Sequence, residues 1–474
     1  MAEETRGDAT RRFYDTHMHA FDLTHPDYLA FAKRFSLRPL KIALYSALGA
    51  AIGLLAAILA RPPKLLKPLL RGNAGRLATW IDRKVRGWLD KRLLRIQNLL
   101  AVMQNDLGSQ FLLLEGDLRR DDPALLDAQG LHIGGQTYDA IVLTPLMMDF
   151  DPEDPDDLRL SFRRREKQYR YSAPVERKIV KQVLDLFRGI QRYLGSGTQT
   201  KTPKGLEILA QPPRIFEIYP FLGLNTRNYA TLEKLKELLA KYFTGYTGKH
   251  EDLHAHMGEF DGEIDHLSVH AFAGIKLYPP LGFHPWPPTD SEQGREDREK
   301  VEHLYAVCQE RGIPITVHGG SGGFAVLKRK KLKSFTAIEN WEAVLAAFPD
   351  LKLCIAHFPV KEKVLKVLPD LRHPLQKSLI RLVTSHPNVY VDVSCRATKA
   401  SYYRRLKRVL HRLPAEDARK LRERVLFGTD FSIHLMWIES YSRFFRLFSE
   451  TTQLTEAEKT LLGSTNPERF LFNG

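Results

Sequence analysis

The segment RRFYDTHMH, residues 11–19, is a short run of strand-forming residues that gives way to two histidines two positions apart. Alternate residues of a strand share a face, so His17 and His19 aim their imidazoles the same way. Two imidazoles converging at a strand end suit a metal, and a catalytic metal takes about three protein ligands with one position left open. Further ligands are therefore expected at the ends of other strands.

Seven more runs rich in β-branched and aromatic residues follow, each ending at a turn. They are AIVLTP (140–145), RIFEIYP (214–220), GIKLYPP (274–280), IPITVHGG (313–320), KLCIAHFP (352–359), NVYVDVS (388–394) and VLFGTD (425–430). The last five begin fewer than 40 residues apart, with helix-like stretches such as SEQGREDREKVEHLYAVCQERG between them. Eight strand-then-helix units predict an α/β fold, a (β/α)8 TIM barrel, in which catalytic groups stand at the C-terminal strand ends. His318 ends the fifth strand, His357 the sixth and Asp430 the eighth, while Lys276 lies in the fourth. One histidine at a strand end is more often merely hydrogen-bonded, and one lysine is usually solvated. Six such groups on five strands are hard to ascribe to packing.

The long early intervals predict inserts. The barrel is assigned to residues 1–30 and 130–474, and residues 31–129 to a helical insert between strands 1 and 2. Smaller inserts follow strands 2 and 3; that over 150–205 reads as a helical excursion ending in a flexible loop, GSGTQTKTPKG. LHAH (253–256) repeats the His-x-His spacing, but in a polar segment, and reads as surface or lid. The glycines of HGGSGG (318–323) read as places where backbone comes close to the site. Tyr278, Arg396 and His434 lie just past strands 4, 7 and 8 and are candidates for substrate contact; for the last two the alternative is a solvated loop residue.

His-x-His on strand 1, Lys on strand 4, His on strands 5 and 6 and Asp on strand 8 together resemble the amidohydrolase superfamily. The closing STNPERFLF (464–472) resembles the ending of its amidohydrolase 2 branch, which contains hydrolases and decarboxylases. The resemblance implies a divalent metal, most often zinc, held by His17, His19, His318 and Asp430, with His357 beside it. It also implies catalytic roles for Asp430, His357 and Lys276: one metal if the lysine is a free amine, two if it is carbamylated. The expected reaction is hydrolysis of an amide, ester or lactone of a small molecule. The alternatives are non-oxidative decarboxylation of an aromatic or unsaturated acid, and a membrane-associated scaffold without catalysis.

Charge points to a second property. Residues 31–100 hold 15 Lys/Arg against 2 Asp/Glu, which accounts for 13 of the 15 net positive charges. Within them IALYSALGAAIGLLAAILA (42–60) is nineteen uncharged residues long, close to the length of a membrane span. A single crossing would put strand 1 and the other strands on opposite sides of a bilayer, so a monotopic anchor on an anionic membrane surface is expected instead. The other reading is a buried helix packed on the barrel or, in a homodimer, on a second subunit. Nucleic acid is not an expected partner, because no zinc finger, RNP motif or aromatic-spaced basic groove accompanies the charge. Three scattered cysteines and an N-terminus without an apolar stretch predict a cytoplasmic protein, at the inner membrane face if the anchor holds.

Overall fold

The structure, a computed structural model, describes residues 10–25, 94–121, 123–150, 178–195, 198–202, 205–209, 214–325, 327–360 and 374–473. The stretch 42–60, nearly all of the basic segment 31–100 and residues 151–177 lie outside the described residues. Among the described residues no helix is long and apolar enough to cross a membrane.

Strand β1 (Arg12–Met18) is followed by a short hairpin, β2 (Leu131–Ile133) and β3 (Gln136–Tyr138), and by β4 (Ala140–Pro145). A second hairpin, β5 (Thr198–Thr202) with β6 (Gly205–Leu209), occupies the sequence read as a flexible loop. Its Thr-rich alternation suits paired strands better than that reading allowed. Then come β7 (Phe216–Ile218), β8 (Phe221–Leu224), β9 (Gly274–Leu277), β10 (Ile315–Val317), β11 (Leu353–Ile355), β12 (Val389–Asp392) and β13 (Val425–Leu426).

All eight expected strand positions are occupied, and the third is split. Pro220 lacks an N–H for the ladder, and the chain pairs differently on its two sides: β7 with β4, and β8 with β9. This yields two parallel sheets, β1-β4-β7 and β13-β12-β11-β10-β9-β8. Backbone bonds join them at both seams. Thr16 N donates to Phe427 O (3.1 Å), Asp430 N to His17 O (2.6 Å) and Met147 N to Phe221 O (3.1 Å). The architecture is a TIM-barrel-like α/β fold. Its strands are buried on both faces, as parallel strands covered by helices require.

The helices between the strands follow from local signals. In Leu232–Phe243 the Thr231 side chain accepts from Lys234 N, and Leu235, Leu239, Tyr242 and Phe243 form the buried stripe. Glu292–Arg311 begins at Ser291, whose side chain accepts from Gly294 N, and ends at Gly312 with φ +64°, a left-handed turn that glycine adopts without strain. The closing Asn466–Leu471 helix explains its own motif: Asn466 Nδ2 donates to Arg422 O (2.7 Å) and Val425 O (2.9 Å), tying the chain end to β13. In the described part of the 31–129 segment, Leu99, Met103, Leu107, Phe111 and Leu118 are buried in the same core as the strands.

Candidate metal centre

Strand β1 reaches the site through a slip in its pairing with β4 between Asp15 and Met18. Asp15 fastens it to the last strand. Its carboxylate accepts from Thr429 N (2.8 Å), Thr429 Oγ1 (2.7 Å) and Tyr441 OH (3.0 Å), while burial pushes its pKa up to about 7. Gly428 lets the chains approach, because a Cβ there would stand 2.7 Å from His17 Cβ. His17, His19 and Asp430 then bring one ligating atom each to within 4.8 Å of one another, all three side chains buried. Asp430 and His357 both have φ +64°, a left-handed conformation that costs a non-glycine residue roughly 1–2 kcal/mol. Strain of this kind is sustained only where the surroundings over-determine the position.

The hydrogen bonds settle which nitrogens are bare. His19 Nδ1 faces Leu146 O at 3.0 Å, and a carbonyl can only accept, so a hydrogen is on Nδ1 and in the neutral ring Nε2 carries a lone pair. His17 Nδ1 donates to Asp392 Oδ2 at 2.8 Å, which leaves Nε2 bare, buried and without a partner among the described residues. Both lone pairs face Asp430 Oδ1, from 3.2 Å (His19) and 3.5 Å (His17). With both imidazoles neutral, three acceptors converge on one point, an arrangement that a cation between them would satisfy. At His17 a proton does not serve, because burial and the charge of Lys276 pull its pKa to about 3. A divalent metal fits this donor set.

His318 stands close by. Its Nδ1 is 3.2 Å from His357 Nε2, its Nε2 is buried and unpartnered among the described residues, and its ring stacks on Tyr278 (4.4 Å). Lys276 on β9 is buried, with no hydrogen-bond partner for Nζ among the described residues, and burial lowers its pKa to about 8 against the pull of Asp392 and Asp430. Above these groups opens a cleft of about 190 Å³, lined by His19, His318, His357 and Asp430 below and by Tyr278, Phe324, Arg396 and Trp437 around it. Gly319 and Gly323 line it too. A Cβ on Gly319 would strike Ala356 O, and one on Gly323 would strike Tyr278 OH, so the close approach expected of HGGSGG is present.

Two expected placements change. His434 is neither solvated nor on the cleft. The short helix Ile433–Met436 turns it inward among Phe431, Tyr441 and Phe444, where burial lowers its pKa to about 4. In the polar insert the grouping is not His254 with His256. His250 and His254, one turn apart on the helix His250–Ala255, meet Glu217 through contacts of 3.0 Å from His250 Nε2 to the carboxylate and from His254 Nδ1 to Tyr219 OH. Arg12 Nε already binds both Glu217 oxygens, at 2.9 and 3.1 Å, so this cluster is satisfied without a metal. Although burial opposes ionisation, His250, Arg12 and Tyr219 hold the Glu217 carboxyl at about 2. Its folded pKa is below the unfolded value, so its stabilisation is complete above pH about 4.5 and lost as pH falls toward 2, amounting to about 3 kcal/mol at most. Glu217→Gln should flatten that acid limb in thermal melts recorded from pH 6 to 2; an unaltered limb would assign the acid sensitivity elsewhere.

Sequence reading missed Asp15, Asp392 and Ser394. Asp392 carried a usable signal, since it ends the apolar run VYVD just as His318, His357 and Asp430 end theirs.

The amidohydrolase family model matches residues 255–472. That part of the chain belongs to the amidohydrolase family. The match includes Lys276, His318, His357, Asp392 and Asp430, whereas His17 and His19 lie outside it and join the amidohydrolase-family residues only through the fold. It is narrower than the resemblance read from the sequence, which extended to strand 1. No curated protein matches the chain. Among solved structures it is similar to a probable 2-pyrone-4,6-dicarboxylic acid hydrolase from Acinetobacter baumannii, at 11% identity over 70% of this chain and 84% of that one, TM-score 0.37. It is also similar to an amidohydrolase from Burkholderia multivorans, at 13% identity over 71% and 84%, TM-score 0.33. Likeness this faint says nothing of substrate.

Proposed function

We propose that the protein is a divalent-metal-dependent hydrolase of a small molecule with an amide, ester or lactone carbonyl, built on a closed (β/α)8 barrel. The observation that carries the reading is the convergence of His17 Nε2, His19 Nε2 and Asp430 Oδ1, which have no hydrogen to share when both imidazoles are neutral. These three residues would hold the ion; His318, expected as a fourth ligand, has an Nε2 unpartnered among the described residues but is not among the ligating atoms that meet there within 4.8 Å. Zinc suits such a set of imidazoles and carboxylate, and Lys276 is read as a free amine beside a single ion. When bound, the ion supplies Lewis acidity, polarising a carbonyl and making water more acidic.

The chain's own residues do the rest. In this reading Asp430 takes a proton from water and returns it to a leaving group, and His357 orients that water; both line the cleft. Arg396 is exposed at the rim, and its guanidinium suits an anionic substrate group. Phe324, Tyr278 and Trp437 offer apolar surface to the body of the substrate. The test is a panel of lactones, aryl esters and amides, assayed before and after chelation. Hydrolysis that chelator abolishes and zinc restores is expected. Turnover indifferent to chelator would remove the metal from the reaction, and CO2 release from unsaturated acids without any hydrolysis would favour the decarboxylase.

A further inference from the structure

The tautomer of His17 is set from outside the metal centre, by one carboxylate. Asp392, the last residue of β12, is buried, and its two oxygens have different tasks. Oδ2 accepts from His17 Nδ1 at 2.8 Å. Oδ1 accepts from His357 N (2.8 Å), Ser394 N (3.0 Å) and the Ser394 hydroxyl. Since that hydroxyl gives its hydrogen to Asp392, its oxygen is left to accept from His357 Nδ1 at 2.9 Å. The carboxylate thus holds a hydrogen on Nδ1 of His17, which also lies 3.2 Å from the Ser394 hydroxyl, while the hydrogen on Nδ1 of His357 is held by Ser394 through both its hydroxyl and its carbonyl (3.3 Å).

From this geometry we infer that Asp392 is the positioning residue for metal affinity: it keeps the Nε2 lone pair of His17 bare and turned toward Asp430. The inference rests on the metal-site reading above and adds to it a residue that reaches His17 through Nδ1 and not through the nitrogen left for the ion. Its consequence is specific to the isosteric change Asp392→Asn. An asparagine can keep three bonds by presenting its carbonyl to the three donors around Oδ1. Its NH2 then faces His17 Nδ1, which must become an acceptor, and the hydrogen moves to Nε2, where it blocks the ion. The opposite orientation would keep His17 correct but set an NH2 against three donors, which leaves buried polar groups unpaired.

The experiment uses the full chain, stripped with chelator and titrated with zinc against a chromophoric competitor, beside 15N spectra of histidine-labelled metal-free protein. Asp392→Asn should retain a thermal midpoint near that of the wild type, bind zinc roughly 10- to 100-fold more weakly, and move the His17 hydrogen from Nδ1 to Nε2. Ser394→Ala is the second variant, and should alter the His357 nitrogen signals, leave the His17 tautomer as it is, and weaken zinc less than Asp392→Asn does. Unchanged zinc affinity in Asp392→Asn, or weakened zinc with His17 still protonated on Nδ1, would overturn the inference. A wild type that takes up no zinc would overturn the metal-site reading itself and the inference with it.

Discussion

Asp430→Asn should lower turnover about 10³-fold or more, the range expected when a general acid–base group and a metal ligand are lost together. The same substitution should leave the fold in place. The backbone of Asp430 does the structural work, with its N–H donating to His17 O (2.6 Å) and its carbonyl accepting from His434 N (2.8 Å), and neither bond involves the side chain. Asparagine also keeps an oxygen that can face His19 and His17. What it lacks is the charge that two bare imidazoles make useful only with a cation present, and the basicity to take a proton from water. The check is a pair of measurements on one preparation, kcat on whichever panel substrate the wild type hydrolyses and a far-UV thermal melt. An unchanged rate with an unchanged melt would remove Asp430 from the mechanism.

Lys276→Met is expected to act in opposite directions on stability and on activity. The ammonium is buried within β9 without a hydrogen-bond partner among the described residues. Burial lowers its pKa to about 8, and the attraction of Asp392 and Asp430 only partly offsets that. The folded pKa is below the unfolded value of 10.5, so the folded state resists the proton. The penalty is full below pH 8 and fades as pH rises from 8 toward 10.5. A shift of that size corresponds to about 3 kcal/mol. Methionine fills a similar volume without a charge to desolvate. In metal-stripped protein Lys276→Met should therefore raise stability at pH 7 by up to about 3 kcal/mol and remove the gain the wild type shows between pH 8 and 10. Turnover should fall, because a buried charge retained at such a cost serves the site and not the fold. Urea unfolding at pH 7 and pH 10 separates the outcomes; a variant less stable than wild type at pH 7 would mean that Nζ is paired and structural.

The parts of this fold that were legible in the sequence share one property: they are local. A β-branched run ending in a polar residue specifies both a strand and the position of its last side chain, and so His17, His19, Lys276, His318, His357 and Asp430 could be assigned from single segments. Features that depend on a partner strand were not legible. Pro220 looks like the end of RIFEIYP, yet the chain resumes pairing at Phe221 with a different neighbour, which only the sheet order reveals. Asp392 looks like an ordinary strand residue until β1 brings His17 Nδ1 against it from 375 positions away. His434, four residues past Asp430, reads as belonging to the site; the turn Ile433–Met436 carries it into an aromatic cluster completed by Tyr441 and Phe444. The same dependence limits the reading of substrate, because the cleft is lined by residues of six segments and no one of them encodes its shape.

The central claim is that His17, His19 and Asp430 converge because a divalent cation belongs between them, and metal content per chain tests it most directly. Protein produced with zinc and manganese supplied, and purified without chelator, should carry one divalent ion per chain by elemental analysis. His17→Ala, which deletes one of the bare nitrogens, should carry none after the same purification. A wild-type protein free of metal under those conditions would contradict the account, and two ions per chain would contradict the reading of Lys276 as a free amine beside a single site.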